Sequence, residues 1–132
     1  MMRFVVDAQS LLWYVENNPK LSSSAADAVA DPTARLPLPV ISLAEVLLVI
    51  EKGRARLRQA DLIEAIQADR RFAVSPLIRA DVVAAMGLTD LRSLHDRFIV
   101  AFARRVQTFG HFHGLITSDR EIRQSQLVPV VW

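Results

Sequence analysis

The chain predicts an α/β fold of three layers, α/β/α, in which helices cover both faces of a mostly parallel sheet of four to five strands. Three observations point there. Short apolar runs bounded by turn residues alternate along the chain with longer segments of helical periodicity. The 132 residues include 52% apolar and 23% charged side chains, ordinary for a packed globular chain. Acidic residues recur where apolar runs hand over to helices, and in an open parallel sheet such points gather in the crevice beyond the carboxyl ends of the strands.

Residues 3–7 read as a short buried strand, followed by a helix through Leu11, Leu12, Trp13, Tyr14 and Val15. Ser22 to Ser24 offer caps for a second helix over 25–30, which Asp31-Pro32 stops. Residues 38–41 make the next strand, and Ser42 caps a nearly all-apolar helix, buried on most sides, that Gly53 ends. A helix over 59–69 turns Leu62, Ile63 and Ile66 inward. Residues 72–76 form a third strand, placed at an edge by Pro76.

A short helix covers 79–87. Leu94, Phe98, Phe102 and Val106 then repeat every four residues, predicting one apolar stripe on a helix over 93–108. Gly110 and Gly114 bound a turn, 114–117 is a fourth strand, 119–124 a short helix and 128–131 a terminal strand. No repeat, linker or low-complexity tract divides the chain, so 1–132 is expected to be one domain.

Composition excludes several chemistries. Without cysteine there is no disulfide framework, thiolate metal site or cysteine nucleophile. The most apolar stretch, 36–50, is broken by Glu45 and falls short of the ~20 residues a membrane-spanning helix needs. The start of the chain lacks the pattern of a signal peptide, so no membrane association and a cytoplasmic location are expected. No glycine-rich phosphate loop occurs. A phosphotransferase using Asp7 as nucleophile would want a second acid two places on, where Gln9 stands. Net charge is +2, and of 16 cationic residues only Lys20 and Lys52 are lysines. Arginine forks suit phosphate oxygens, although compositional bias explains the same excess.

Four acids carry the chemistry: Asp7, Glu45, Asp96 and Asp119. Each has a plain structural role available. Ser42 to Glu45, Ser93 to Asp96 and Ser118 to Glu121 all spell capping boxes, and a carboxylate in a first helical turn suits the helix dipole by about 0.3–1 kcal/mol. Asp7 is harder to explain this way, because an unpaired charge ending an apolar strand costs several kcal/mol, roughly. Asp119 follows another inner strand. Carboxylates gathered at one edge repel unless a cation neutralises them, so a divalent-metal site is expected.

The stretches Val5 to Tyr14, Ile41 to Val46, His95 to Ala101 and Leu115 to Ile122 together resemble the PIN-domain ribonucleases, and within them the VapC-like toxins of bacterial toxin–antitoxin pairs. The resemblance covers essentially the whole chain. It implies a PIN-like nuclease with Asp7, Glu45, Asp96 and Asp119 as the catalytic quartet. Asp7, Asp96 and Asp119 would hold Mg²⁺, with Mn²⁺ as a substitute, and Thr117 would orient water. Arg97 beside Asp96 would stabilise the scissile phosphate or the neighbouring carboxylates, or else serve as a surface residue. The implied activity is hydrolysis of RNA phosphodiesters by a toxin that forms a homodimer and is silenced by a cognate antitoxin. The alternative is a catalytically weak PIN-like module that binds RNA or a protein partner. Two positions depart from the pattern: Ala8 stands where Thr or Ser is frequent, and Leu94-His95 where Asp-Pro is common.

Arg54, Arg56 and Arg58, the pair His111 and His113, His95, and Asp90 are further polar candidates whose expected roles are mainly solvated turns. Trp13, Tyr14 and Trp132 are expected in the core or at an interface.

Overall fold

Strand β1 (Arg3–Val6) sends alternate side chains to opposite faces, and this alternation builds the two halves of the core. Phe4 and Val6 join one apolar cluster with Leu11, Leu12, Leu36, Leu38, Val46 and Leu62. Val5 joins the other with Leu91, Ile99, Phe102, Leu115 and Ile122. The computed structural model describes residues 2–132. Its elements run β1, α1 (Ala8–Val15), α2 (Ser23–Ala30), β2 (Leu36–Pro39), α3 (Val40–Glu51), α4 (Gln59–Ala68), β3 (Phe72–Ser75), α5 (Arg79–Ala85), α6 (Leu94–Thr108), β4 (Phe112–Ile116), α7 (Arg120–Ser125) and β5 (Val130–Val131). Helices α1–α4 cover the first cluster and α5–α7 the second, giving the three-layer α/β/α arrangement expected.

All strand pairs are parallel. β1 pairs with β4 and β4 with β5, while β2 pairs with β3. The two ladders meet at a single bridge, Arg3 to Arg35, where Phe4 N donates to Arg35 O (3.0 Å) and Arg35 N to Met2 O (2.7 Å). Spatial order is therefore β3-β2-β1-β4-β5. The ladder stops at Arg35 for a chemical reason. Leu36 N donates to Arg71 O on the β3 side, so the backbone of alternate residues 35, 37 and 39 faces β1. Pro37 and Pro39 have no N–H to give. An inner strand tolerates two prolines because both face the same neighbour.

The structure corrects several boundaries. β2 ends at Pro39 and α3 begins at Val40, so the expected strand over 38–41 is shifted by two residues. Ser42 thus lies inside the helix, buried, and caps nothing. α3 itself is less enclosed than its composition implies: Leu48 is 46% exposed, because α3 belongs to the outer layer. On α6, Leu94 is exposed, while Ile99, Phe102, Ala103 and Val106 face inward. A strict four-residue step drifts off a 3.6-residue helix, which carries Leu94 away from the core. Gly114, expected to open the strand, lies in the middle of β4, which starts two residues earlier at Phe112. A methyl at its Cα would stand 2.9 Å from Val131 Cγ2 and 3.3 Å from Pro129 O, so only glycine lets β5 approach.

Asp81 on α5 is buried and takes Arg105 Nε at 2.8 Å and Arg105 Nη2 at 3.0 Å, while also accepting from Ile78 N at 3.1 Å. This forked pair ties α5 to α6. No helix among the described residues is long and apolar enough to cross a membrane.

Removing the Arg105 guanidinium leaves a buried, unpaired carboxylate. Arg105→Ala should lower unfolding free energy by ~3 kcal/mol, less than a fully enclosed pair would cost because Arg105 keeps some solvent contact. Denaturant unfolding with an unchanged m-value checks this. Gly114→Ala should cost ~1–3 kcal/mol by overpacking against Val131, read as a lower melting temperature.

Candidate active site

The register of β1 on β4 sets Val6 beside Ile116, so the two chains leave the sheet side by side. Strand order reverses between these two strands, which makes this the crevice where open parallel sheets bind ligands. Asp7 and Asp119 occupy it. Asp7 N donates to Ile116 O at 3.1 Å, and Asp7 Oδ1 caps α1 by accepting from Ser10 N at 2.8 Å. Asp119 is the N-cap of α7 and its Oδ1 accepts from Ile122 N at 2.9 Å. The helix over 119–124 thus starts one residue late, with Asp119, not Ser118, as its cap. Capping and chemistry are compatible here: the cap takes one oxygen of each carboxylate and fixes where the other points.

Thr117 stands between them, fully buried. Its Oγ1 accepts from Asp119 N at 3.0 Å, and its hydroxyl also lies against the Asp7 carboxylate and favours the ionised form. Ser10 Oγ lies close to Asp7 as well, yet forms no well-aligned hydrogen bond. One threonine therefore positions both strand-end acids.

Two helices bring the other acids. Asp96 is the third residue of α6, capped by Ser93, whose Oγ accepts from Asp96 N over a long 3.4 Å. Glu45 sits in the second turn of α3, not the first, because that helix begins at Val40. It therefore gains little from the helix dipole. His95 Nδ1 lies 2.7 Å from Glu45 Oε1 but off line, and that buried oxygen has no hydrogen-bond donor.

Electrostatics show that the four acids share one field. Burial, first, pushes the Asp7 pKa up, and the Asp119 charge adds to it, while hydrogen bonds from Thr117 and Ser10 oppose. Burial also raises Glu45; His95 opposes and Asp7 adds. Asp96 is pushed up to about 6, by burial first and then by Asp119, Glu45, Asp7 and Glu121. Glu121, a fifth acid on α7, was missed as a site residue. Two places after Asp119 in a first helical turn, it could have been found from spacing. Its carboxylate is held by the Arg92 backbone N–H and lies 3.6 Å from Arg92 Nε.

No Lys or Arg side chain among the described residues pairs with Asp7, Asp96 or Asp119. Arg97 lies beside Asp96 in sequence, but its Nε donates to Leu91 O at 2.6 Å, anchoring the turn before α6. The donor set is all hard oxygen, with an orphaned oxygen on Glu45, and that chemistry fits Mg²⁺ or Mn²⁺. The spacing is looser than a coordination shell: no three His, Asp or Glu side chains among the described residues close on one ion position as they stand.

Of the further candidates, His95 lies against Glu45 and the rest make other contacts. Arg58 forms an exposed pair with Asp61, and Arg56 N donates to Glu16. His111 takes positive φ in the turn before β4, and its carbonyl faces His113 Nδ1. Trp13 and Trp132 pack against each other at 6.0 Å between centroids.

A sequence comparison with characterised proteins gives no significant match. Among solved structures, the chain is similar to the VapC20 toxin of Mycobacterium tuberculosis, which cleaves the sarcin–ricin loop. The TM-score is 0.71 at 12% identity, covering 98% of this chain and 99% of that one. It is also similar to VapBC2 of Rickettsia felis, solved bound to a DNA fragment from its promoter, with TM-score 0.67, 11% identity, and coverage of 98% and 97%. At such identities the likeness speaks for the fold. The profile of the PIN domain matches residues 4–126, from the first buried residue of β1 through the end of α7. On that match over nearly its whole length, this chain belongs to the PIN domain family.

Proposed function

We propose that this chain is a Mg²⁺- or Mn²⁺-dependent endoribonuclease acting as the toxin of a toxin–antitoxin pair. The observation that carries the reading is the gathering of Asp7, Glu45, Asp96 and Asp119 into one field at the switch point, with no Lys or Arg to neutralise three of them. Holding those charges together unpaired is costly, and a divalent cation is the group that would relieve the cost.

Asp7, Asp96 and Asp119 would hold the ion; when bound, it supplies a lowered pKa for water and charge neutralisation at the phosphate. Thr117 keeps Asp7 and Asp119 in fixed relation, a positioning role through Asp119 N and the Asp7 carboxylate. Glu45 Oε1, free of donors, orients the attacking water and accepts its proton, for which a raised pKa is suited. Arg97, anchored at Nε, offers its remaining guanidinium donors to the scissile phosphate.

The likeness to VapBC2 supports a cognate antitoxin as partner; that the acting form is a cytoplasmic homodimer is part of the proposal and rests on the sequence resemblance alone. The loose spacing of the acids favours a second reading, a catalytically weak PIN module that binds RNA or a protein. Ion binding separates the two.

A cleavage assay on total RNA tests the chemistry: Asp7→Asn should cut at least ~100-fold more slowly with an unchanged circular dichroism spectrum. Equal cutting by parent and variant overturns the mechanism. Titration with Mg²⁺ or Mn²⁺ should raise the melting temperature, by ~2.7 kcal/mol of added stability at a hundred times Kd. No gain favours the weak module.

The metal-free protein should respond to pH in a fixed direction. The Asp96 pKa is raised from 3.8 to about 6, so the folded state binds the proton more tightly. That stability is present below 3.8 and lost as pH rises through about 6. Asp96→Asn should therefore raise the metal-free melting temperature by a few degrees at pH 7.5 and remove most of the gain on adding metal. Asp96 is only half buried, so solvent screening keeps the effect small.

A further inference from the structure

We propose that an arginine-rimmed cavity between the β2–β3 ladder and α6, lined by none of the four acids, binds one nucleotide of a single-stranded RNA as an exosite; this extends the nuclease reading above. The cavity measures about 570 Å³ and is lined by the starts of β1 and β2, by β3 as far as its last residue Ser75, and by the second half of α6. That volume lies within the range of ~300–1,000 Å³ typical of small-ligand pockets. Arg3 and Asp7 stand at opposite ends of β1, roughly 13 Å apart along the strand, so the cavity is separate from the acidic crevice.

The charge at its rim is not compensated. Five arginines line it, and two are neutralised in place: Arg71 by Asp69 at 2.7 Å and Arg105 by Asp81 at 2.8 Å. Arg3, Arg35 and Arg70 have no carboxylate partner among the described residues. Arg3 is held by backbone carbonyls, its Nη1 donating to Gly110 O at 2.7 Å, which leaves its other donors free. Arg35 makes only a long contact of 3.3 Å to Ala34 O, and the Arg70 side chain is exposed. Three guanidinium groups around one opening thus have donors to spare for phosphate oxygens.

The interior is apolar, with Leu36 and Phe102 at its base. Phe109, the C-cap of α6, is 67% exposed and lines the cavity. Large exposed aromatics beside free arginines are what a single-stranded nucleic acid needs: a ring for a base to stack on and cations for its phosphates. A duplex cannot offer an unstacked base, and an acidic peptide would leave the aromatic ring unused.

The test measures binding of a short, dye-labelled single-stranded RNA by fluorescence anisotropy. Using the Asp7→Asn chain in chelator prevents cutting. Arg35→Glu and Arg70→Glu, both on exposed side chains, should each weaken binding ~5-fold or more, as should Phe109→Ala. The double charge reversal should also lower the slope of log affinity against log salt by ~1.4, the value for two lost single-strand phosphate contacts. Unchanged affinity and slope in a double variant with an unchanged melting curve overturn the exosite. So does an acidic peptide that binds as tightly as the RNA with the same variant sensitivity. The nuclease reading fails separately: weakened binding by these variants in a parent chain that cuts no RNA supports the exosite while removing the nuclease.

Discussion

Everything at the candidate site depends on the register of two neighbouring strands. Because Val6 lies beside Ile116, the chain leaves β1 and β4 at the same height, and Asp7 and Asp119 emerge together. Each then caps the helix that follows it, so two separate helix starts are locked to one sheet edge. Thr117 closes the arrangement by touching both acids. A one-residue slip of β4 would invert which side chains enter each core layer, and the apolar clusters on the two faces resist it. Catalytic placement and core packing are therefore fixed by the same pairing.

That placement works against stability. Asp7 is nearly enclosed, Asp96 is pushed up to about 6, and Glu45 keeps an oxygen with no donor. Buried like charges of this kind persist only where the surrounding fold holds them. The contrast with Asp81 is instructive. It is just as buried, but Arg105 grips both its oxygens. The fold thus supplies an arginine to Asp81, whereas Asp7, Asp96 and Asp119 have none among the described residues.

Much of this was legible in the sequence because periodicity and position carry it. The alternation of strands and helices, the strand-end acids Asp7 and Asp119, and the Ser22 and Ser93 caps follow from local patterns. What escaped depends on distant neighbours. Ser42 looks like a cap, yet Pro39 starts the helix earlier and buries it. Leu94 fits an apolar stripe on paper but rotates outward on a real helix. Gly114 reads as the residue between turn and strand, and nothing local shows Val131 packed against it. Asp81 and Arg105 are far apart in sequence, and nothing local announces their pairing. Glu121 entered the site only once Asp96 was seen to feel its charge.

The two prolines of β2 have an effect on how the halves of the protein relate. Glu45 rides with β2 and β3 through α3, whereas Asp7 and Asp119 ride with β1 and β4. Across that seam the amides that would bind at positions 37 and 39 are chemically missing. The gap between Glu45 and the strand-end acids is therefore governed more by side-chain fit than by backbone ladder. Beyond the rungs at Arg3 and Arg35, the span between the two sets of carboxylates is set by the apolar cluster that Phe4 and Val6 share with Leu36 and Leu38.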